Sequence, residues 1–419
     1  MEQHAAVIGI IDNESAVLGL GKAPSAGRLP AGDPLVAGAL AAALPAGVYT
    51  LASGFEDPAA AALAFALGSY RFGRYRARKK PEPRLVLPGG VDAAEIGRIA
   101  DAVFLARDLV NTPANDLGPA EIADAVRALA DRHGAAYSEV VGADLIARNF
   151  PLIHAVGAAS PRAPRLAELV WGDPAHPKVT LVGKGVAFDT GGLNIKPDAA
   201  MLLMKKDMGG AAAAIALAHM VMDAGLPVRL RLLVAAVENA IAGEAFRPGD
   251  VYTSRKGITV EIGNTDAEGR LILADALALA DEEAPEVIVD FATLTGAARV
   301  ALGPDLPPLY CDDDGFAAEL MRHGTAVGDP LWRLPLWRSY EKMLDSKIAD
   351  VNHISGGPFA GSITAALFLS RFVEKAGTWA HLDVYGWTPA AKPGRPEGGE
   401  AQSVRALYAL FKARYGATA

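Results

Sequence analysis

At 419 residues, 51% of them hydrophobic, the chain is long enough for two or three domains and a substantial core in at least one. A formal net charge of -8 argues against a general nucleic-acid binder, which carries a positive excess to neutralise phosphates. The lone Cys311 excludes an internal disulfide and any zinc module built on cysteines, which fits a reducing, cytoplasmic setting.

Met1 to Asn13 lacks a basic leader, and its apolar run is too short for a signal peptide. Residues 1–88 read as a small α/β domain, with strands at Ala6 to Ile11, Gly47 to Ala52 and Arg84 to Leu87 and an alanine-rich helix from Pro58 to about Leu67. A basic run crosses it: Arg71, Arg74, Arg76, Arg78, Lys79 and Lys80, interleaved with Tyr70, Phe72 and Tyr75. In so acidic a chain, a solvated face or a subunit contact explains that run better than a nucleic-acid patch. After Pro88-Gly89-Gly90, the periodicity of Ile96, Ile99, Val103, Leu105 and Leu109 predicts a connecting helix over 89–110.

A larger domain, 111–419, begins there. Its elements alternate: a helix at Pro119 to Arg132, strands at Glu168 to Trp171 and Val179 to Gly183, a helix at Gly210 to Asp223, then strands at Val228 to Val237 and Ile258 to Ile262. Gly209 to Met222 is weakly polar but carries His219, so it reads as a buried core helix and not a membrane span. Leu271 to Ala280 reads as a helix, and Glu286 to Phe291 as a strand buried on both faces. Such alternation predicts helices on both sides of a mixed, largely parallel sheet, an α/β/α domain.

In such sheets functional groups collect on the loops after strand ends. Asn264-Thr265-Asp266-Ala267-Glu268-Gly269-Arg270 holds two carboxylates and a guanidinium at alternate positions. If extended, it presents all three on one face, ready for a metal ion and an anion. The same residues fit an S/T-x-x-E capping box opening the helix after them. Lys184, Asp189, Lys196 and Asp207 follow or flank other strand ends. Singly they read as a solvated lysine, a turn or a helix N-cap. Together, four carboxylates and three cations are an oxygen-rich set able to hold paired divalent metals. There is no H-x-x-x-H pair, no G-x-S-x-G elbow, no P-loop and no G-x-G-x-x-G. Metal-assisted hydrolysis or phosphoryl chemistry remains.

NTDAEGRL at Asn264 to Leu271 resembles the signature of the leucyl aminopeptidase (cytosol aminopeptidase) family, and VGKGVAFDTGGLNIKP at Val182 to Pro197 resembles its metal-binding loop. The likeness extends through KKDMGGAAA (Lys205 to Ala213), VENAIAGEAFRPGD (Val237 to Asp250) and ATLTGA (Ala292 to Ala297), with the spacing preserved over about 105–385. Residues 1–88 resemble the family's smaller domain only loosely. The resemblance implies a metallo-exopeptidase acting on peptides with two divalent ions, zinc or manganese. By it, Asp266, Glu268 and Asp189 would hold the first ion, and Lys184, Asp189, Asp207 and Glu268 the second. Lys196 would stabilise the oxyanion, and Arg270 would hold a bicarbonate acting as general base. Lys184 would bind as a neutral amine; lowering its pKa from ~10.4 to ~7 costs roughly 4–5 kcal/mol, which metal binding offsets. The family also implies a homohexamer.

The pocket for the first side chain would be lined by Met204, Asn264, Thr293, Gly296 and the residue at 385. There the run His381-Leu382-Asp383-Val384-Tyr385-Gly386 departs from the family, with Tyr385 in place of a small residue, so a preference for leucine does not carry over. A dipeptidase or narrow-specificity exopeptidase is a close variant. A metal-dependent phosphohydrolase explains the charges but not the spacing, and a nucleic-acid-binding regulator rests on the basic run alone.

Overall fold

The computed structural model describes residues 34–51, 55–76 and 82–416, together with the backbone of an antiparallel pair, Val7–Ile10 and Ala16–Gly19. In the N-terminal part, Gly47–Thr50 and Pro83–Val86 pair in parallel. A parallel pair needs a crossover, and the helix Pro58–Ser69 supplies it. The Asp57 side chain starts that helix by accepting from Ala60 N. Within the basic run, Arg71 donates to the carbonyls of Gly68 and Tyr70, while Arg74 and Tyr75 both face Asp116. Arg78, Lys79 and Lys80 lie outside the described residues.

The large sheet has eight strands. Its strands are β1 (Ala136–Val141), β2 (Arg165–Trp171), β3 (Lys178–Asp189), β4 (Arg229–Asn239), β5 (Val287–Ala292), β6 (Pro308–Cys311), β7 (Trp332–Arg333) and β8 (Thr378–Asp383). They lie in the order β7-β6-β8-β5-β3-β4-β2-β1. β8, β5, β3 and β4 run parallel at the centre, while β6 is antiparallel to β8, and β2 and β1 pair antiparallel beyond β4. The sheet is therefore mixed with a parallel heart, as expected.

Each face carries its own core. On one pack α1 (Ala93–Asn111), α2 (Pro119–His133), α3 (Gly209–Asp223) and α6 (Val404–Tyr415); on the other, α4 (Glu268–Asp281) and α5 (Gly361–Ser370). β5 shows why its pattern is apolar at every position but Asp290: Val287, Val289 and Phe291 enter the first core, and Ile288 and Ala292 the second. α3 is buried along nearly its whole length, as a helix apolar all round must be. No helix among the described residues is long and apolar enough to cross a membrane.

α1 ties the two parts together. Its Arg107, 1% exposed, donates to the carbonyls of Leu67 and Gly394 and pairs with Glu400 at 2.9 Å. One buried guanidinium thus joins the N-terminal helix, α1 and the chain's last loop.

Candidate active site

The site stands at the carboxyl ends of the parallel strands, where a doubly wound sheet leaves a crevice. β3 runs past the expected end at Gly183. It takes in Lys184 and stops at Asp189, with a register shift against β4 between Val186 and Asp189. That irregularity re-aims the strand's last side chain. Gly191, at φ 89°, then turns the chain back, and its N–H donates to Asp189 Oδ1 at 2.9 Å. Asn239, at the end of β4, donates to the same oxygen at 2.8 Å. Asp189 Oδ2 is left facing Lys196 Nζ at 2.7 Å.

The stretch from Asn264 is not extended. Thr265–Ala267 forms a 3₁₀ turn and Glu268 opens α4, so Asp266, Glu268 and Arg270 do not share a strand face. Nor does Thr265 act as a capping-box residue. Its hydroxyl donates to Gly191 O at 2.6 Å and accepts from Asn194 N, stitching the turn to the loop after β3. The Asn264 side chain instead caps the turn, accepting from Asp266 N at 2.8 Å. Asp207 is likewise no N-cap: the 3₁₀ turn Met204–Met208 runs straight into α3, and the carboxylate accepts from Lys184 Nζ at 2.6 Å and Thr293 Oγ1 at 2.8 Å.

Two lysines therefore stand among four carboxylates. Lys196 bridges Asp189 and Asp266 (2.7 and 2.5 Å), and Lys184, 2% exposed, reaches Asp207 and Glu268 (2.6 and 3.1 Å) and the carbonyl of Thr293 at 3.0 Å. Oxygens of Asp189, Asp266 and Glu268 lie within 4.8 Å of one another, and Glu268 Oε2 is buried with no hydrogen-bond partner. Burial, helped by the neighbouring Asp207, pushes Asp189 up to about 6, and burial raises Asp207 and Asp266 as well. For Lys184 burial acts downward, but Asp207, Glu268 and Asp189 outweigh it and hold the ammonium protonated. Crowded carboxylates, an unpartnered buried oxygen and a donor set of oxygens with one amine fit divalent cations.

A cavity of about 310 Å³ opens beside this cluster. Lys184, Asp189, Lys196, Asp207, Asp266 and Glu268 form one wall; Met204, Thr293, Gly296 and Tyr385 continue it. Asn264 and Arg270 do not line it. Arg270 is buried behind it, donating to His353 O at 2.7 Å, with Nε unpartnered and its pKa brought down to about 10 by burial. Sequence reasoning passed over Lys206 and Arg299 on the same wall, and Asp383, which accepts from Leu294 N and Thr295 N and so positions the loop carrying Thr293. Burial pushes Lys206 down to about 8. Only its place beside Asp207 in KKDMGG could have flagged it.

Fold and site define a metal-dependent hydrolase of the α/β/α type. The family model described as "Cytosol aminopeptidase family, catalytic domain" matches residues 104–408, and "M17 aminopeptidase, N-terminal domain" matches residues 20–88. A probable cytosol aminopeptidase of Roseiflexus castenholzii is 43% identical over 81% of this chain and 73% of its own length. One of Rhizobium meliloti is 40% identical over 95% of this chain and 85% of its own. Among solved structures, the cytosol aminopeptidase of Coxiella burnetii superposes with a TM-score of 0.88 at 49% identity, covering 91% of this chain and 84% of that one. The bottromycin maturation enzyme BotP in complex with Mn gives 0.89 at 36%, covering 98% and 93%. The chain belongs to the cytosol aminopeptidase family. It is a metal-dependent aminopeptidase, a metallo-exopeptidase with a likeness to leucyl aminopeptidases.

Proposed function

We propose that residues 111–419 form a catalytic unit that removes the first residue from peptides by metal-assisted hydrolysis, with two divalent ions, zinc or manganese, as its cofactors. The observation carrying this reading is the convergence of Asp189, Asp207, Asp266 and Glu268 on two lysines, Lys184 buried and Lys196 half-buried. Asp189, Asp266 and Glu268 would hold one ion, and Lys184, Asp189, Asp207 and Glu268 the other. When bound, such ions supply water of lowered pKa, about 7, and a Lewis acid that anchors the substrate's α-amine.

This chain's residues do the rest. Lys196, released from Asp189 and Asp266, donates to the scissile carbonyl as its oxygen becomes negative. Met204, Thr293, Gly296 and Tyr385 receive the first side chain; Asn264 acts from behind by fixing Asp266. Arg270, buried with no carboxylate within ion-pair distance among the described residues, is suited to hold a bicarbonate as general base. The family relationship supports a cytoplasmic homohexamer. Exposed Leu202, Val300 and Phe359 are apolar surface that neighbouring copies would cover.

The test is hydrolysis of a panel of dipeptides and amino-acid 4-nitroanilides by chelator-stripped protein, before and after reloading with manganese or zinc. Activity that returns with metal and requires a free α-amine is expected. Silence on every peptide with metal demonstrably bound would transfer the site to phosphoryl chemistry. Bicarbonate added to CO₂-free buffer should raise turnover, and Arg270→Met should abolish that response.

A further inference from the structure

Lys206 is only 5% exposed, yet among the described residues it has no carboxylate within ion-pair distance. Its ammonium lies 5.2 Å from the centroid of the Tyr385 ring, and the Arg299 guanidinium lies 4.7 Å from the same centroid. All three line the active-site cavity. The nearest acids are engaged elsewhere. Asp207 binds Lys184 and Thr293, and Asp383 binds the N–H groups of Leu294 and Thr295 and the hydroxyls of Thr295 and Ser362.

An ammonium buried without a mate is costly, and ring packing alone would be served as well by a methionine. The cost is recovered if the mate arrives with the substrate. Met204 and Pro304 add apolar wall, so the two cations are the cavity's anion-binding element apart from the metal centre and its lysines. This chamber joins the centre through Thr293, whose hydroxyl donates to Asp207 and whose carbonyl accepts from Lys184. A substrate held by its α-amine at the Lys184 and Asp207 end places its own first side chain there.

We infer that the enzyme selects peptides whose first residue is acidic, with Lys206 and Arg299 receiving the side-chain carboxylate across the face of Tyr385. This rests on the aminopeptidase reading above and names its substrate class. Discrimination should act chiefly against the neutral isostere, because glutamine leaves the buried ammonium unpaired.

The experiment uses the manganese-loaded full chain with Glu-Leu, Gln-Leu, Leu-Leu and Leu-Glu. Hydrogen bonds to charged groups imply that kcat/KM for Glu-Leu exceeds that for Gln-Leu by roughly 10- to 100-fold. Lys206→Met should collapse that ratio, and Arg299→Gln should lower it. Lys206→Glu should take kcat/KM for Glu-Leu below that for Gln-Leu. Equal rates on Glu-Leu and Gln-Leu, with Leu-Leu cleaved, would overturn the inference and leave the aminopeptidase standing. A preference for Leu-Glu over Glu-Leu would place the carboxylate beyond the scissile bond and overturn it too. Failure on all four peptides with metal bound would defeat the underlying reading and the inference with it. The wild-type ratios decide even if a variant fails to fold.

Discussion

Replacing Gly269 with alanine adds one methyl group, and it should disable the Lys184 half of the proposed metal centre without altering any of the proposed ligands. A Cβ there would lie 2.3 Å from Lys184 Cε, 2.8 Å from Cδ and 2.9 Å from Nζ. Ordinary carbon contacts sit near 3.5–4.0 Å, so the lysine arm must retreat by roughly 1 Å or more. Retreat breaks what pins it: bonds of 2.6 Å to Asp207, 3.0 Å to Thr293 O and 3.1 Å to Glu268. Overpacking of this kind costs about 1–3 kcal/mol, against which alanine's helix preference returns up to about 1. A ligand displaced by about 1 Å lowers turnover by on the order of 100-fold. The assay is metal per chain by atomic emission, with kcat/KM on a 4-nitroanilide and a thermal melt. Gly97→Ala is the control. Gly97 lies within α1 and an added Cβ there meets nothing within 4 Å, so the same substitution should stabilise by roughly 0.5–1 kcal/mol and leave turnover alone. Full metal content and near-normal turnover in Gly269→Ala would refute the steric reasoning.

Lys196→Ala should lower kcat by roughly 100- to 1,000-fold while metal is retained or bound more tightly, because Asp189 and Asp266 lose a competing cation; loss of metal would contradict this. Metal occupancy at the Lys184 position should fall on acidification, since binding must displace the proton that the surrounding carboxylates hold there, and occupancy flat from neutral pH to about 5 would sink it. Glu400→Ala strands the Arg107 guanidinium, so urea unfolding should show a loss of about 3–5 kcal/mol; a change well under 1 would mean the pair is dispensable. Burial first, then Arg270, brings His353 down to about 3. The folded chain therefore binds that proton more weakly than the unfolded one. Its contribution is present above about pH 6.5 and lost as pH falls, at roughly 1.4 kcal/mol per unit. His353→Gln should flatten the acid limb of stability by one proton, measured by urea unfolding between pH 7 and 5; an unchanged slope would show that His353 does not titrate.

Much of this molecule is readable residue by residue, and the reason lies in range. A strand buried on both faces, such as Val287–Ala292, or a helix apolar all round, such as Gly209–Asp223, writes its environment into consecutive side chains. The carboxylates and lysines of the centre were visible for a similar reason, because their motifs are compact and keep their spacing. Local pattern could not choose between an extended Asn264–Arg270 and a helical one. That choice belonged to Thr265, whose hydroxyl is held by Gly191 and Asn194 on a loop 71–74 residues earlier. Short edge strands such as Trp332–Arg333 offer too few residues to show a period at all.

The sequence by itself determined the class of chemistry, the parallel heart of the sheet and the identity of the acids and cations, since these depend on residue type and near-neighbour order. Only the tertiary structure decided which lysine faces which carboxylate, that Asp207 binds Lys184 instead of capping α3, and that Lys206 meets Tyr385 and Arg299 across one cavity. Those pairings follow from strand order β8-β5-β3-β4, which brings strand ends far apart in sequence to one edge of the sheet. The order is selected by burying apolar surface over the whole domain, and no single stretch of residues encodes it.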